Sequence, residues 1–318
     1  MPELPEVETV KRGLAKLITG RTVKSVEYTW QKSFPNDAAE VNKHLIGAKI
    51  TDVRRRAKVL IIDLSSVYSL VIHLKMTGQL VFVAENQQRT EIREKRNEKE
   101  TRNSILNSRF STDGVRFGGG HPSDSLVGKL PDKSTRVEIA FTDGSKLFFN
   151  DQRKFGWVKI IESQKVQSLK FIKELGPEPL EPDFTEKIFI ERISKHPNAL
   201  IKAVLLDQTV LAGVGNIYAD ESLWAAKIHP STRVKNVPKT KLRILHDELL
   251  NVLNLSIEKG GSTDKNYVDA EGKRGSYLKF AKVFRKEGQA CPRHTGVLIE
   301  KIKVAGRGTH ICSVCQKL

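Results

Sequence analysis

The sequence predicts an α+β chain: a domain of short β-strands led by one helix, a helical region, and a small strand-bearing tail. Three features point to it. Short β-type runs recur between Val23 and Ile161, helical periodicity takes over after a proline-rich stretch at 175–182, and all three cysteines fall in the last 28 residues. A length of 318 residues suits two compact domains. With 39% hydrophobic and 29% charged residues, wholesale disorder is excluded.

Taken in order, residues 5–19 predict an amphipathic helix. Pro5 suits a first helical position, Val7, Val10, Leu14 and Leu17 make one apolar face, and Gly20 can end it. Strand-like runs follow at Lys58–Leu64, Ser69–Leu74, Gln79–Val83, Thr135–Phe141, Lys146–Phe149 and Trp157–Ile161, with turn signals such as Asp143-Gly144. Many short strands and one helix predict a β-sandwich or barrel. Residues 84–131 interrupt the pattern. Residues 86–109 carry seven basic, four acidic and only three aliphatic side chains (Ile92, Ile105, Leu106), and Gly118-Gly119-Gly120 follows. A solvated surface excursion, dispensable for chemistry, is expected there. Leu175-Gly-Pro-Glu-Pro-Leu-Glu-Pro182 reads as part of a linker, and helices are expected at 185–195, 198–207, 216–226 and 239–259. The expected units are 1–165, a linker at 166–184, a helical domain at 185–280 and a cysteine-bearing module at 281–318.

Lys and Arg total 54 against 37 Asp and Glu, a net charge of +17. Residues 227–318 hold 19 basic and 8 acidic side chains, so the excess is concentrated there. Such a segment suits a polyanion such as nucleic acid, although a merely solubilising surface would share the composition. No apolar run approaches the roughly 20 residues needed to span a bilayer, and the N-terminus lacks the features of a signal peptide. A cytoplasmic protein with no membrane partner is therefore expected.

Four sets of residues suggest chemistry. Cys291-Pro-Arg-His294 and Cys312-Ser-Val-Cys315 have the paired spacing of a tetrahedral Zn²⁺ site, with His294 the member that could instead be a surface histidine. Between them, Ala305-Gly306-Arg307-Gly308 reads as a turn tip presenting one Arg to a phosphate. Gly213-Val-Gly-Asn216, ahead of a helix and after Lys202, is either a structural turn or an anion-binding helix start. Removal of Met1 would expose Pro2 as a secondary amine of low pKa beside Glu3 and Glu6. The same residues would also serve as a plain polar helix start.

The motif Met1-Pro-Glu-Leu-Pro-Glu-Val-Glu-Thr9 resembles the N-terminus of formamidopyrimidine-DNA glycosylases of the Fpg/Nei family. Similar matches follow in chain order: Arg55-Arg-Ala-Lys58, His73-Leu-Lys-Met-Thr-Gly78, Asp151-Gln-Arg-Lys-Phe-Gly156, Leu175–Leu180, Gly213-Val-Gly-Asn-Ile-Tyr218 and Gly306-Arg-Gly-Thr309. The resemblance implies a helix–two-turn–helix domain, a β-hairpin zinc finger and a bifunctional DNA glycosylase and abasic-site lyase. It assigns Pro2 as nucleophile, Glu3 as proton donor, Lys58 and Arg307 as phosphate-facing catalytic cations, and Glu6 as a supporting group. Met76, Arg153 and Phe155 would fill the gap left by a flipped base. Lys202, Asn216, Lys265 and Tyr267 would contact DNA, the last two from a loop over the everted base.

By the same resemblance, the partner is duplex DNA carrying oxidised purines (8-oxoguanine, formamidopyrimidines), the cofactor one structural Zn²⁺, and the protein a monomer. An endonuclease-VIII-like preference for oxidised pyrimidines and a non-catalytic lesion-binding role are the alternatives. An RNA-binding zinc-ribbon protein would explain the charge but not the N-terminus. The chain departs from the family pattern at His294, usually a cysteine, at the 84–131 excursion, at Ser134-Thr-Arg136 in place of a DNA-contacting histidine, and at His196-Pro-Asn198 in place of a basic stretch.

Overall fold

The computed structural model describes residues 2–85, 116–121, 123–126, 128–262 and 277–318. Its first half is a sandwich of two antiparallel sheets. One has the order β1-β7-β8-β5-β6, from Val23–Tyr28 (β1), Gly78–Val83 (β5), Arg116–Gly120 (β6), Thr135–Phe141 (β7) and Lys146–Asp151 (β8). The other runs β2-β3-β4-β9, from Ile50–Arg56, Val59–Leu64, Tyr68–His73 and Trp157–Glu162. Strand β7 alternates buried and half-buried positions as a one-faced strand should. Strand β3 is apolar almost throughout because both its faces are covered. Leu60 and Ile62 enter the inter-sheet core, while Val59 and Ile61 meet Val166 and Ile172 of the segment that follows β9.

Helix α1, Leu4–Ile18, lies against β2 and β6 of the sandwich. Its buried face is Leu4, Val7, Val10, Leu14 and Ile18; Leu17, expected on that face, is only half-buried. Helix α2, Ala38–Leu45, was not foreseen, nor were β1 and β2; Asp37 caps α2 by accepting from the N–H groups of Ala39 and Glu40.

The excursion expected at 84–131 needs correction. Residues 86–115 lie outside the described residues, but Arg116–Gly120 returns as β6, paired antiparallel with β5, and Phe117 is fully buried over α1. One aromatic ring in a polar, glycine-rich stretch was enough to anchor a strand. Beyond it, Leu126 packs on Val81 and Phe148.

After the short helix α3, Lys170–Lys173, the proline-rich stretch does not run free. The Glu178 carboxylate accepts from the Ala57 N–H (2.6 Å) and pairs with Arg55 and with Arg56 (3.0 Å), while Arg55 also pairs with Glu8 of α1 (2.9 Å). Burial opposes ionisation of Glu8, yet its bonds to Arg55 and Arg12 hold its pKa down to about 2. The second half packs α4 (Glu186–Ser194), α5 (Ile201–Leu206), α6 (Asn216–Ala225) and α7 (Lys239–Glu258) around Phe189, Leu205, Tyr218, Leu223, Leu245 and Leu249. Helix α7 also touches α1, so α1 bridges the two halves. Two small hairpins close the chain: β10–β11 (Ala290–Cys291, His294–Leu298) and β12–β13 (Glu300–Val304, Arg307–Ile311). Among the described residues no helix is long and apolar enough to cross a membrane.

Candidate active site

A cavity of about 590 Å³ opens where the sandwich, α6 and the β12–β13 hairpin meet, and Pro2, Glu3, Glu6, Lys58, Met76, Asn216 and Arg307 all line it. Residues from opposite ends of the chain thus share one space. Helix α1 begins here because the Glu3 N–H donates to Glu6 Oε2 (2.8 Å), a capping contact that fixes the first turn. The Leu4 N–H donates to Gly213 O (3.1 Å), which docks that turn on the loop before α6. Gly215 admits the Glu3 carboxyl group, whose carbon would stand 2.1 Å from any Cβ at that position.

Glu3 is buried, and only one of its oxygens is used: Oε1 accepts from the Ile217 N–H (3.3 Å), while Oε2 has no partner among the described residues. Burial raises its pKa to about 7 against the pull of Lys58, with Glu6 adding to the rise. Lys58 is buried as well, its ammonium donating to Val214 O (2.9 Å), and burial lowers its pKa despite Glu3 and Glu6. Glu6 is fully engaged, accepting also from the Tyr218 hydroxyl (2.5 Å) and the Ser262 N–H (2.9 Å). Tyr218 in turn meets the Ser256 hydroxyl at 2.6 Å. Tyr218 and Ser256 were not foreseen as site residues, although Tyr218 closes the Gly213–Tyr218 motif.

Met76 and Phe155 are exposed, 39% and 54%, which apolar core residues would not be. The Arg153 guanidinium lies over the Phe155 ring at 4.9 Å. The loops that carry these side chains are pinned together by fully buried Asp151. It accepts from the Thr77 hydroxyl, from the Arg153 N–H at 3.2 Å and from the Gly156 N–H at 2.6 Å. The first residue of the Asp151–Gly156 motif therefore works as a brace.

The hairpin turn places Ala305 and Gly306 at φ 47° and 76°, a tight reversal that exposes Arg307 at its end. Asn216 donates its amide to Gly308 O (3.0 Å), holding the hairpin to the start of α6. Lys202 departs from expectation: it is fully buried and cannot reach a phosphate from this position. Its ammonium pairs with Asp220 of α6 (2.6 Å) and donates to Thr309 Oγ1 of β13 (2.6 Å). Asp220 also accepts from the His310 N–H (3.0 Å). An amphipathic pattern marks a lysine as polar but not which polar partner awaits it. Lys265 and Tyr267 lie outside the described residues.

Cys291, His294, Cys312 and Cys315 bring their donor atoms within 4.8 Å of one another. The separations from His294 Nδ1 to Cys291, Cys312 and Cys315 Sγ are 3.8, 3.8 and 3.2 Å, and Cys291 and Cys315 Sγ are 3.8 Å apart. A tetrahedral Zn²⁺ with S and N ligands has edges of roughly 3.5–3.8 Å, so the residues present fit that ion, His294 included.

Residues 1–158 match the family model described as the formamidopyrimidine-DNA glycosylase N-terminal domain, and residues 175–267 the formamidopyrimidine-DNA glycosylase H2TH domain. The chain is 37% identical over 316 residues to a formamidopyrimidine-DNA glycosylase of Latilactobacillus sakei, covering 99% of this chain and 98% of the relative. It is 36% identical over 319 residues to one of Halalkalibacterium halodurans, covering all of both. A crystal structure of a Lactococcus lactis Fpg mutant with Fapy-dG-containing DNA is similar at a TM-score of 0.80, with 34% identity and both chains covered completely. Another, of the Lactococcus lactis protein with abasic-site DNA, reaches 0.79 at 33% identity, covering 99% of this chain and 100% of that one.

The burial of Lys202 sets up a direct test. Lys202→Ala should cost about 3–5 kcal/mol in urea unfolding, because Asp220 stays buried without its cation. The double change Lys202→Met with Asp220→Asn should recover part of that loss. A phosphate-contacting lysine would instead leave the unfolding midpoint in place and weaken DNA binding alone.

Proposed function

The chain belongs to the formamidopyrimidine-DNA glycosylase family, a DNA glycosylase and abasic-site lyase acting on damaged DNA, and we propose that it excises oxidised purines through an N-terminal proline imine. One observation carries this proposal: Pro2, Glu3, Lys58 and Arg307 line a single cavity, and Glu3 Oε2 is buried without a partner among the described residues. In this mechanism the freed Pro2 nitrogen attacks the anomeric carbon of the damaged nucleotide. Glu3 gives its proton to the sugar ring oxygen, the ring opens, the base departs and an iminium links Pro2 to the sugar. Loss of sugar protons then expels the phosphate on each side in turn. A carboxyl group held near 7 is protonated in a large share of molecules at neutral pH, which suits a proton donor.

Lys58, held below its ordinary range by burial, can move a proton in the first elimination. Arg307, exposed at the hairpin tip, suits a phosphate departing in the second. Asn216 contributes through the hairpin, and Met76, Arg153 and Phe155 form the exposed group suited to replacing a base drawn out of the stack. Glu6 holds the head of α1 and Ser262 to one point. The partner is duplex DNA carrying oxidised purines such as 8-oxoguanine and formamidopyrimidines. Cys291, His294, Cys312 and Cys315 would hold one structural Zn²⁺, which would stiffen the hairpin beneath Arg307.

Borohydride should trap a covalent adduct on a lesion duplex, and peptide mapping should place it on Pro2. Pro2→Gly should sharply reduce trapping, and an adduct on a lysine would defeat the assignment. The pH dependence follows from the raised pKa of Glu3. Its acid form prevails below about 7, so single-turnover base excision should fall as pH rises through that value. Glu3→Gln should remove this limb of the profile; persistence of the limb would mean another group supplies the proton. For the metal, elemental analysis should find about one zinc per chain, and His294→Ala should weaken its retention. Unchanged retention in a chelator challenge would take His294 out of the ligand set.

A further inference from the structure

Strand β6 ends inside the reaction cavity. It pairs with β5 from Val83↔Arg116 to Gln79↔Gly120, and β5 starts at Gly78, two residues after Met76. The next residue, His121, donates its backbone N–H to Gly78 O at 3.0 Å. The Gln79 side-chain amide donates to His121 O and to Ser123 Oγ, the latter at 2.6 Å, which holds the turn after the strand. Gly120 has φ +120°, and a Cβ there would stand 2.4 Å from Gly78 O, so the two backbones are as close as they can be. His121 is thereby fixed relative to the loop that carries Met76.

His121 lines the cavity with Pro2, Glu3, Met76 and Arg307, and Arg285, another lining residue, acts electrostatically on its imidazole. It is half-buried, and its ring makes no hydrogen bond among the described residues. An imidazole with no hydrogen bond among the described residues, at a cavity shared with the reacting groups, is available to whatever fills that cavity. Burial lowers its pKa, the N-terminal amine and Arg285 add to that and Asp151 opposes it, so the neutral ring is favoured. A neutral imidazole has one N–H donor and one acceptor nitrogen. Phosphate oxygens only accept, whereas the edge of a nucleobase both donates and accepts.

We propose that His121 is a specificity-determining residue that hydrogen-bonds the damaged base in the cavity, supplied by the strand that closes the 84–131 excursion. The proposal rests on the reaction argued above. It gives that excursion a part in base recognition, through the residue that follows β6.

The test compares the wild-type protein, His121→Ala and His121→Gln on duplexes carrying a formamidopyrimidine, 8-oxoguanine or an abasic site. Gln keeps a donor and an acceptor; Ala keeps neither. Loss of one neutral hydrogen bond to the base should lower kcat/KM of His121→Ala about three- to tenfold on a damaged base. Abasic-site cleavage, which has no base to read, should stay within twofold, and His121→Gln should recover part of the loss. An equal fall on all three duplexes would mean that His121 serves the fold or the backbone, and no fall on any would mean that it touches nothing. Either overturns the proposal. A wild-type protein that cleaved no abasic duplex would defeat the lyase mechanism instead, and thermal melting of each variant separates misfolding from lost recognition.

Discussion

Two carboxylates buried side by side at the head of α1 organise this molecule. An unpaired buried carboxylate is costly, so Glu3 and Glu6 have to be neutralised or hydrogen-bonded. The groups that do so come from both halves of the chain. Lys58 belongs to the sandwich, while Ile217, Tyr218 and Ser262 belong to the helical half. Satisfying the carboxylates therefore also sets how the halves meet. One oxygen of Glu3 is left without a partner among the described residues, on a side chain whose residue lines the cavity. A carboxyl group in that position keeps its proton up to about pH 7, so the feature that burdens the fold is also what the chemistry needs.

Around that centre, the segments that carry the other candidate side chains are held from behind by buried ions. Asp151 braces the loops of Met76, Arg153 and Phe155, and the Lys202–Asp220 pair braces the hairpin of Arg307. Buried pairs of this kind add little net stability compared with apolar packing, but each is strongly unfavourable when half-removed. Their effect is to penalise any arrangement in which hairpin and helix separate. The Glu178–Arg55–Glu8 network acts likewise at the junction of the proline-rich stretch with β2 and α1.

Much of the architecture was legible from periodicity. Strands β3, β4, β5, β7, β8 and β9 and helices α1, α4, α6 and α7 fall within a few residues of where alternation and helical spacing put them. What escaped did so for local reasons. Strand β1 is half polar and β2 carries three consecutive arginines, so neither shows an apolar run. Strand β6 holds a single large apolar side chain among glycines, and its stability comes from pairing with β5 and from the place of Phe117 against α1. Composition over a window averages such an anchor away.

The sequence by itself determined the kinds of chemistry available: a proline able to become an amine, acids beside it, a basic C-terminal third and four metal-type ligands at paired spacing. Those follow from residue identity and near-neighbour spacing, which the chain carries wherever it folds. Only the tertiary structure decided which of these groups share a space and which are consumed internally. It brought Pro2, Lys58 and Arg307 to one cavity, withdrew Lys202 into an ion pair, and delivered His121 from a stretch with almost no apolar signal. The physical reason is that burial and pairing depend on contacts far apart in the chain. Lys202 and Asp220 are 18 residues apart, and Lys202 and Thr309 are 107 apart. A lysine's charge is written in the sequence; whether it faces water, phosphate or a buried aspartate depends on what the fold packs against it.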